Sequence, residues 1–142
     1  MTTDAQHPTL PVTNETVDEF YDWVFAPWVK ELGLKDMRVS RGSASAILPQ
    51  NSRLQFVSGA VCGQAVMSAV DTIAALAMST SDRPAKGAVY QHTHFLKPAK
   101  SGDLRVQADV LRFGATSAFC EARVTVAASG DLVAHATLEF AF

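Results

Sequence analysis

Asp71 is the only formally charged residue between Arg53 and Asp82. The run around it, from Leu54 to Ser81, is dominated by Ala, Val, Ile, Leu, Met and Ser. That pattern predicts a buried helix with a carboxylate on it. A carboxylate withdrawn from water without a partner is costly, or its pKa rises until it is neutral. Such a group is either structural, capping or pairing with a neighbouring element, or functional.

Three residues near the start of the same helix carry further chemistry. Gly63 has no side chain, so a ligand can approach its backbone. A helix N-terminus offers unpaired N–H groups and the positive end of the dipole. Gln64 stands seven residues before Asp71, two turns away on about the same face. It is a polar contact for a bound group, a helix cap, or part of a helix–helix seam. Cys62 is a nucleophile if the helix N-terminus lowers its pKa. With no His or Lys close in sequence, a space-filling role is the simpler reading. Cys120 falls on the inward face of a strand and reads as core. His92 and His94 share one strand face at i, i+2, a spacing that permits metal binding. No Cys, Asp or Glu nearby completes a ligand set, so they read as polar sheet surface or subunit contact, and no metal site is expected.

The composition limits the classes. A chain of 142 residues with 48% hydrophobic content suits one domain with a full core. With 12 basic and 14 acidic residues the net charge is −2. That leaves no electrostatic footprint for nucleic acid or an anionic membrane. Two cysteines do not make a disulfide framework, and MTTDAQHPTLP has no signal-peptide pattern, so a cytoplasmic protein is expected. The apolar run is long enough for a membrane span, but Gly59, Gly63, Gln64, Ser68, Asp71 and Thr72 argue for a core helix.

The elements that position these residues follow from periodicity. Residues 1–12, polar with Pro8 and Pro11, predict a flexible arm, and 13–142 a single domain. Thr16-Val-Asp-Glu19 resembles a capping box. Val17, Phe20, Val24, Trp28 and Leu32 make one apolar stripe, kinked at Pro27 and ended by Gly33. Residues 37–48 predict a strand with a turn at Arg41-Gly42, and a central helix is expected over about 58–79. Beyond Lys86 everything alternates: 87–97, then 104–110 after a Ser101-Gly102-Asp103 turn, then 118–126, then 132–142 after Ser129-Gly130-Asp131. Arg112-Phe-Gly114 marks a bend or bulge. The expected class is α+β, an antiparallel sheet curling around one long helix preceded by an N-terminal helix.

Two blocks resemble the hotdog fold, and within it the PaaI-type acyl-CoA thioesterases. Gly59-Ala-Val-Cys62-Gly63-Gln64, followed by a helix bearing Asp71, is similar to that family's G-x-x-H-G-G and its acid. Phe95-Leu-Lys-Pro98-Ala-Lys-Ser-Gly102-Asp103 is similar to its F-L-R-P-A-x-x-G-D. Leu111-Arg112-Phe-Gly114 and the segment from Gly130 to Thr137 also look like it. The likeness covers roughly residues 35–142. The acid and one Gly are kept, as Asp71 and Gly63. The family's His falls on Cys62, its second Gly on Gln64, its Asn on Phe56, and the Ser or Thr of the next strand on Ala88.

The resemblance implies thioester hydrolysis in a homodimer or homotetramer, with acyl-CoA as substrate and no cofactor. Gly63 N–H would polarise the carbonyl, and Asp71 would be general base or nucleophile. Eight helical residues span about 12 Å, so one carbonyl cannot touch both groups of one chain. If both act, Asp71 comes from a second chain lying in the opposite sense. Gln64, Cys62, Phe56 and Met67 are the expected substrate-binding neighbours, and Arg112 a contact for a CoA phosphate. The alternative is a non-catalytic hotdog module that binds acyl-CoA or another apolar ligand, with Phe56 and Cys62 marking loss of the polar set.

Overall fold

The computed structural model describes residues 9–100 and 102–142. Most of the arm expected over 1–12, and Ser101 of the predicted turn, lie outside the described residues. The elements are α1 (Val17–Val24), α2 (Pro27–Lys30), β1 (Lys35–Ser40), β2 (Ser43–Leu48), α3 (Gly63–Met78), β3 (Gly87–Phe95), β4 (Leu104–Phe113), β5 (Ser117–Val126) and β6 (Leu132–Ala141). A short 3-10 turn, Ser52–Leu54, precedes α3.

The N-terminal stripe breaks into two helices. Ala26 is extended, as a residue before proline must be, and Pro27 starts α2. The break ends the helical register. Val17, Phe20 and Leu32 are therefore buried, while Val24 and Trp28 are 46% and 59% exposed. The cap also sits earlier than expected. Val17 N–H donates to Thr13 O at 2.8 Å, and Thr16 Oγ1 accepts from Thr13 N–H at 3.0 Å. Thr16 thus reaches back to Thr13, half a capping box one turn before the Thr16–Glu19 pair. Val12 is already in the core, its N–H on Ser79 O at 2.8 Å.

All strand pairs are antiparallel, in the order β1-β2-β4-β5-β6-β3. Their register puts Ala44, Ala46, Ala108, Ala118, Ala122, Ala134 and Ala136 in buried positions beneath α3. The helix answers with Ala65, Ala69, Ala74 and Ala77, all nearly inaccessible. Small residues on both surfaces let backbone approach backbone. Ile73, Leu76, Met78, Leu104 and Leu138 supply the bulk, each worth about 1.5–3 kcal/mol when buried.

α3 begins at Gly63 rather than near Ser58. Residues 56–60 instead close a tight loop: Phe56 N–H donates to Ala60 O and Gly59, at φ +90°, donates to Phe56 O. Gln55 and Val61 bridge, and Cys62 is the extended N-cap. At the other end Ser79, Thr80 and Ser81 turn their hydroxyls back onto the carbonyls of Ala75, Ala77 and Met78, at 2.8, 2.7 and 3.0 Å. These bonds satisfy acceptors that the helix leaves unpaired. Thr80 Oγ1 also accepts from Gly42 N–H, fixing the helix C-terminus to the β1–β2 turn.

Candidate active site

The start of α3 opens into a cavity of about 410 Å³. Phe56, Val61, Gly63, Val66, Phe95 and Leu96 line it, with Lys97 as its one ionisable side chain among the described residues. The N–H groups of Gly63, Gln64 and Ala65 have no acceptor among the described residues. A Cβ at Gly63 would sit 3.2 Å from Phe95 Cζ, a tight contact with a side chain rather than with backbone. Alanine is the better helix former, and the half-exposed Phe95 ring can give. Gly63→Ala should therefore keep its melting temperature within about 4 °C. If a thioester oxygen approaches the Gly63 N–H, the methyl group stands in its way, and kcat/KM for any thioester turned over should fall about tenfold or more. Equal activity with an unchanged fold would remove Gly63 from the site.

Asp71 lies elsewhere. In the single chain it is exposed rather than buried, because α3 keeps one side uncovered. Gln64, Met67, Ser68, Asp71, Ala75 and Ser79, at spacings of three and four, are exposed or partly so along that side. The pattern of apolar neighbours concealed this, since most of them face the sheet and Asp71 does not. Its carboxylate has no hydrogen bond or ion pair among the described residues, so the capping and ion-pair roles do not apply. Burial of the carboxylate against the chain still holds its pKa above the ordinary aspartate value.

The remaining expected residues divide between places. Phe56 joins Gly63 in the first cavity. Cys62 and Gln64 instead line a second hollow of about 260 Å³, with Trp28, Glu31, Asn51 and Arg53. Met67 is exposed at the middle of the open side of α3, and its carbonyl accepts from Gln91 Nε2 at 3.1 Å. Arg112 stands two residues past Val110, whose N–H bonds Gly42 O beside the C-terminal end of α3. Sixteen helical residues, about 24 Å, separate that end from Gly63 of the same chain.

His92 and His94 stack at 4.7 Å on the outer face of the sheet, where His94 is opposite His135. No group of three possible metal ligands occurs among the described residues. The Cys120 thiol is pushed up to about 12, first by burial and then by the charges of Asp109 and Asp71, which makes it inert. Reading the sequence alone missed Phe95 and Val133 as cavity walls. Their positions follow from β3–β6 register, which no local pattern fixes.

The chain matches the thioesterase superfamily over residues 56–134, more than half its length, and belongs to that family. The matched stretch contains Phe56, Gly63, Asp71 and Arg112. A conserved protein of Pseudomonas aeruginosa is 30% identical, with a TM-score of 0.74 over 82% of this chain and 94% of that one. Zebrafish thioesterase superfamily member 2 is 24% identical, with a TM-score of 0.82 over 92% of this chain and 98% of that one. The Escherichia coli PaaI protein of the phenylacetic acid degradation operon is 20% identical, with a TM-score of 0.74 over 80% and 86%. The last two likenesses establish the hotdog fold. No match was found among curated proteins. Among the described residues, no helix is long and apolar enough to cross a membrane.

Proposed function

We propose that the chain is an acyl-CoA thioesterase whose active site is completed by a second copy of itself. One observation carries this reading. β3 is one of the two edges of the sheet, the longer one, and Val89 and Phe95 on it are 59% and 53% exposed. Long, apolar edge strands invite pairing. Gln91 is the midpoint of β3, and its side chain touches Met67. A twofold axis that pairs β3 with its own copy therefore passes beside Met67. Gly63 and Asp71 stand four residues to either side of Met67, about 6 Å along the helix. The operation that joins the edges sets Gly63 of one α3 opposite Asp71 of the partner subunit. Arg112 is not part of this arrangement: it pairs with the exposed Phe119 on the outer face of the sheet, away from α3.

The chemistry follows. The thioester oxygen accepts from Gly63 N–H, which stabilises the charge that develops as the carbonyl is attacked. Asp71 of the partner subunit takes a proton from a water that adds to the carbonyl carbon, or attacks that carbon itself. On the first route the C–S bond breaks as the leaving thiolate takes the proton held by Asp71, giving CoA and the free acid. On the second, C–S cleavage leaves an acyl–Asp71 anhydride, the thiolate is protonated by solvent, and a water then hydrolyses the anhydride. A carboxylate with a raised pKa is the stronger base. Gln64 and Met67 flank the helix seam. Free Cys62 and Cys120 suit a reducing cytoplasm.

The Gly63 cavity itself favours a second reading. Apart from Lys97 its walls are apolar, and Phe56 occupies the place of a polar residue. A module that binds acyl-CoA without cleaving it would look the same from this side. A panel of acyl-CoA thioesters with free-thiol detection decides between them, together with light scattering. Turnover by a dimer or tetramer at micromolar concentration is the expected result. A stable monomer would remove the shared site. Binding without thiol release would leave the binding module.

A further inference from the structure

Asp71, Ala75 and Ser79 follow one another at four-residue spacing on the open side of α3. Ala75 and Ser79 form one wall of a separate pocket of about 320 Å³. Its other walls include Phe20, Trp23 and Phe25 from the α1 region and Phe140 from β6. Among the described residues its lining holds no ionisable side chain. The pocket begins one helical turn beyond Asp71 and runs away from the Gly63 end.

From these positions we infer that the pocket of the partner subunit holds the acyl group, and that this group is apolar with about ten non-hydrogen atoms. The inference rests on the shared-site reading. A thioester carbon between Gly63 and Asp71 of the partner subunit has two substituents, and the site has two exits. One is the Gly63 cavity, whose lining includes the exposed Lys97, ion-paired with Asp131 at 3.0 Å, and which therefore gives the long polar CoA arm a way out to solvent. The other passes Ala75 into an almost wholly aromatic and aliphatic pocket. Placing the polar arm there would desolvate it without partners. At about 30 Å³ for each water-sized atom, the pocket holds about ten. That fits an acyl group of about eight to ten carbons. Ala75 is the threshold of the pocket and Trp23 one of its far walls, so both set acyl length.

The test is a series of straight-chain acyl-CoA thioesters from acetyl to palmitoyl. It is read as kcat/KM relative to acetyl-CoA, beside calorimetric binding of the uncleavable thioether S-octyl-CoA. Wild type should gain roughly two- to fourfold per methylene up to about C8 or C10, then level off or fall. Ala75→Phe should flatten the series, cutting the octanoyl-to-acetyl ratio at least about tenfold and weakening S-octyl-CoA to a similar degree. Trp23→Ala should move the optimum to longer chains, and it keeps the test open if Ala75→Phe does not fold. Hydrolysis that depends on Asp71 but has a profile unchanged in both variants overturns the pocket assignment and leaves the enzyme reading intact. Absence of hydrolysis, with S-octyl-CoA binding that Ala75→Phe weakens, overturns catalysis and keeps the pocket. Binding that is absent, or indifferent to both variants, overturns the pocket.

Discussion

Asp71→Asn should lower kcat/KM on the best acyl-CoA by a factor on the order of 10² or more, and it should do so in a dimer that remains folded. The amide preserves shape and removes the group that takes the proton. The same substitution has a second signature in stability. The carboxylate's pKa is raised by burial, so the folded chain holds its proton to higher pH than the unfolded chain does. The wild type therefore carries no penalty below the unfolded pKa. It loses stability as pH rises through the folded pKa, where the charge is forced into its partly desolvated place. Asp71→Asn should thus melt no lower than wild type at pH 7, with any advantage vanishing near pH 3. A sharp loss of stability at pH 7 would mean the carboxylate has a favourable partner and is structural. Full activity of the asparagine variant would refute its catalytic role.

Two variants that should each be inactive are expected to restore activity when paired. Gly63→Val removes access to the N–H donor in one chain, and Asp71→Asn removes the base in the other. Co-expression of differently tagged chains makes mixed dimers. Each mixed dimer has one site with both groups lost and one with both intact. Random pairing then returns about a quarter of wild-type activity, although each variant alone has almost none. The purified mixed dimer should show about half. If one chain supplied both groups, mixing would return nothing. The experiment thus tests the sharing of the site without reference to which acyl group is preferred, and circular dichroism of each homodimer checks that both variants fold.

The fold was largely legible in the residues because each element advertises its own period. The alternation of Leu104, Val106 and Ala108, and of Ala118, Cys120, Ala122 and Val124, placed one face of β4 and β5 inward, and the register bears it out. The Ala-rich run identified α3. Its first residue was less legible, because the loop over 56–60 is set by backbone bonds and by Gly59 at positive φ rather than by hydropathy. Trp28 misled the apolar stripe, because Pro27 turned the chain before the stripe could complete. Asp71 and Gly63 were identifiable as chemistry-bearing residues. The burial of Asp71 was not, since composition does not say which sector of a helix the sheet covers. Nor does local spacing separate Phe56, which joins Gly63, from Cys62 and Gln64, which line another hollow.

The alanines that face each other across α3 and the sheet bear on how this protein can change over generations. Where two surfaces touch through methyl groups, an added carbon has nowhere to go, and overpacking costs about 1–3 kcal/mol. Ala69, Ala74, Ala108 and Ala136 are therefore held small by folding alone. The open side of the same helix is free of the sheet and answers instead to whatever covers it. One helix thus divides its positions into a half held by the fold and a half that the proposed partner and ligand would hold. New acyl preferences could be explored at Ala75 without first acquiring a compensating change in the core.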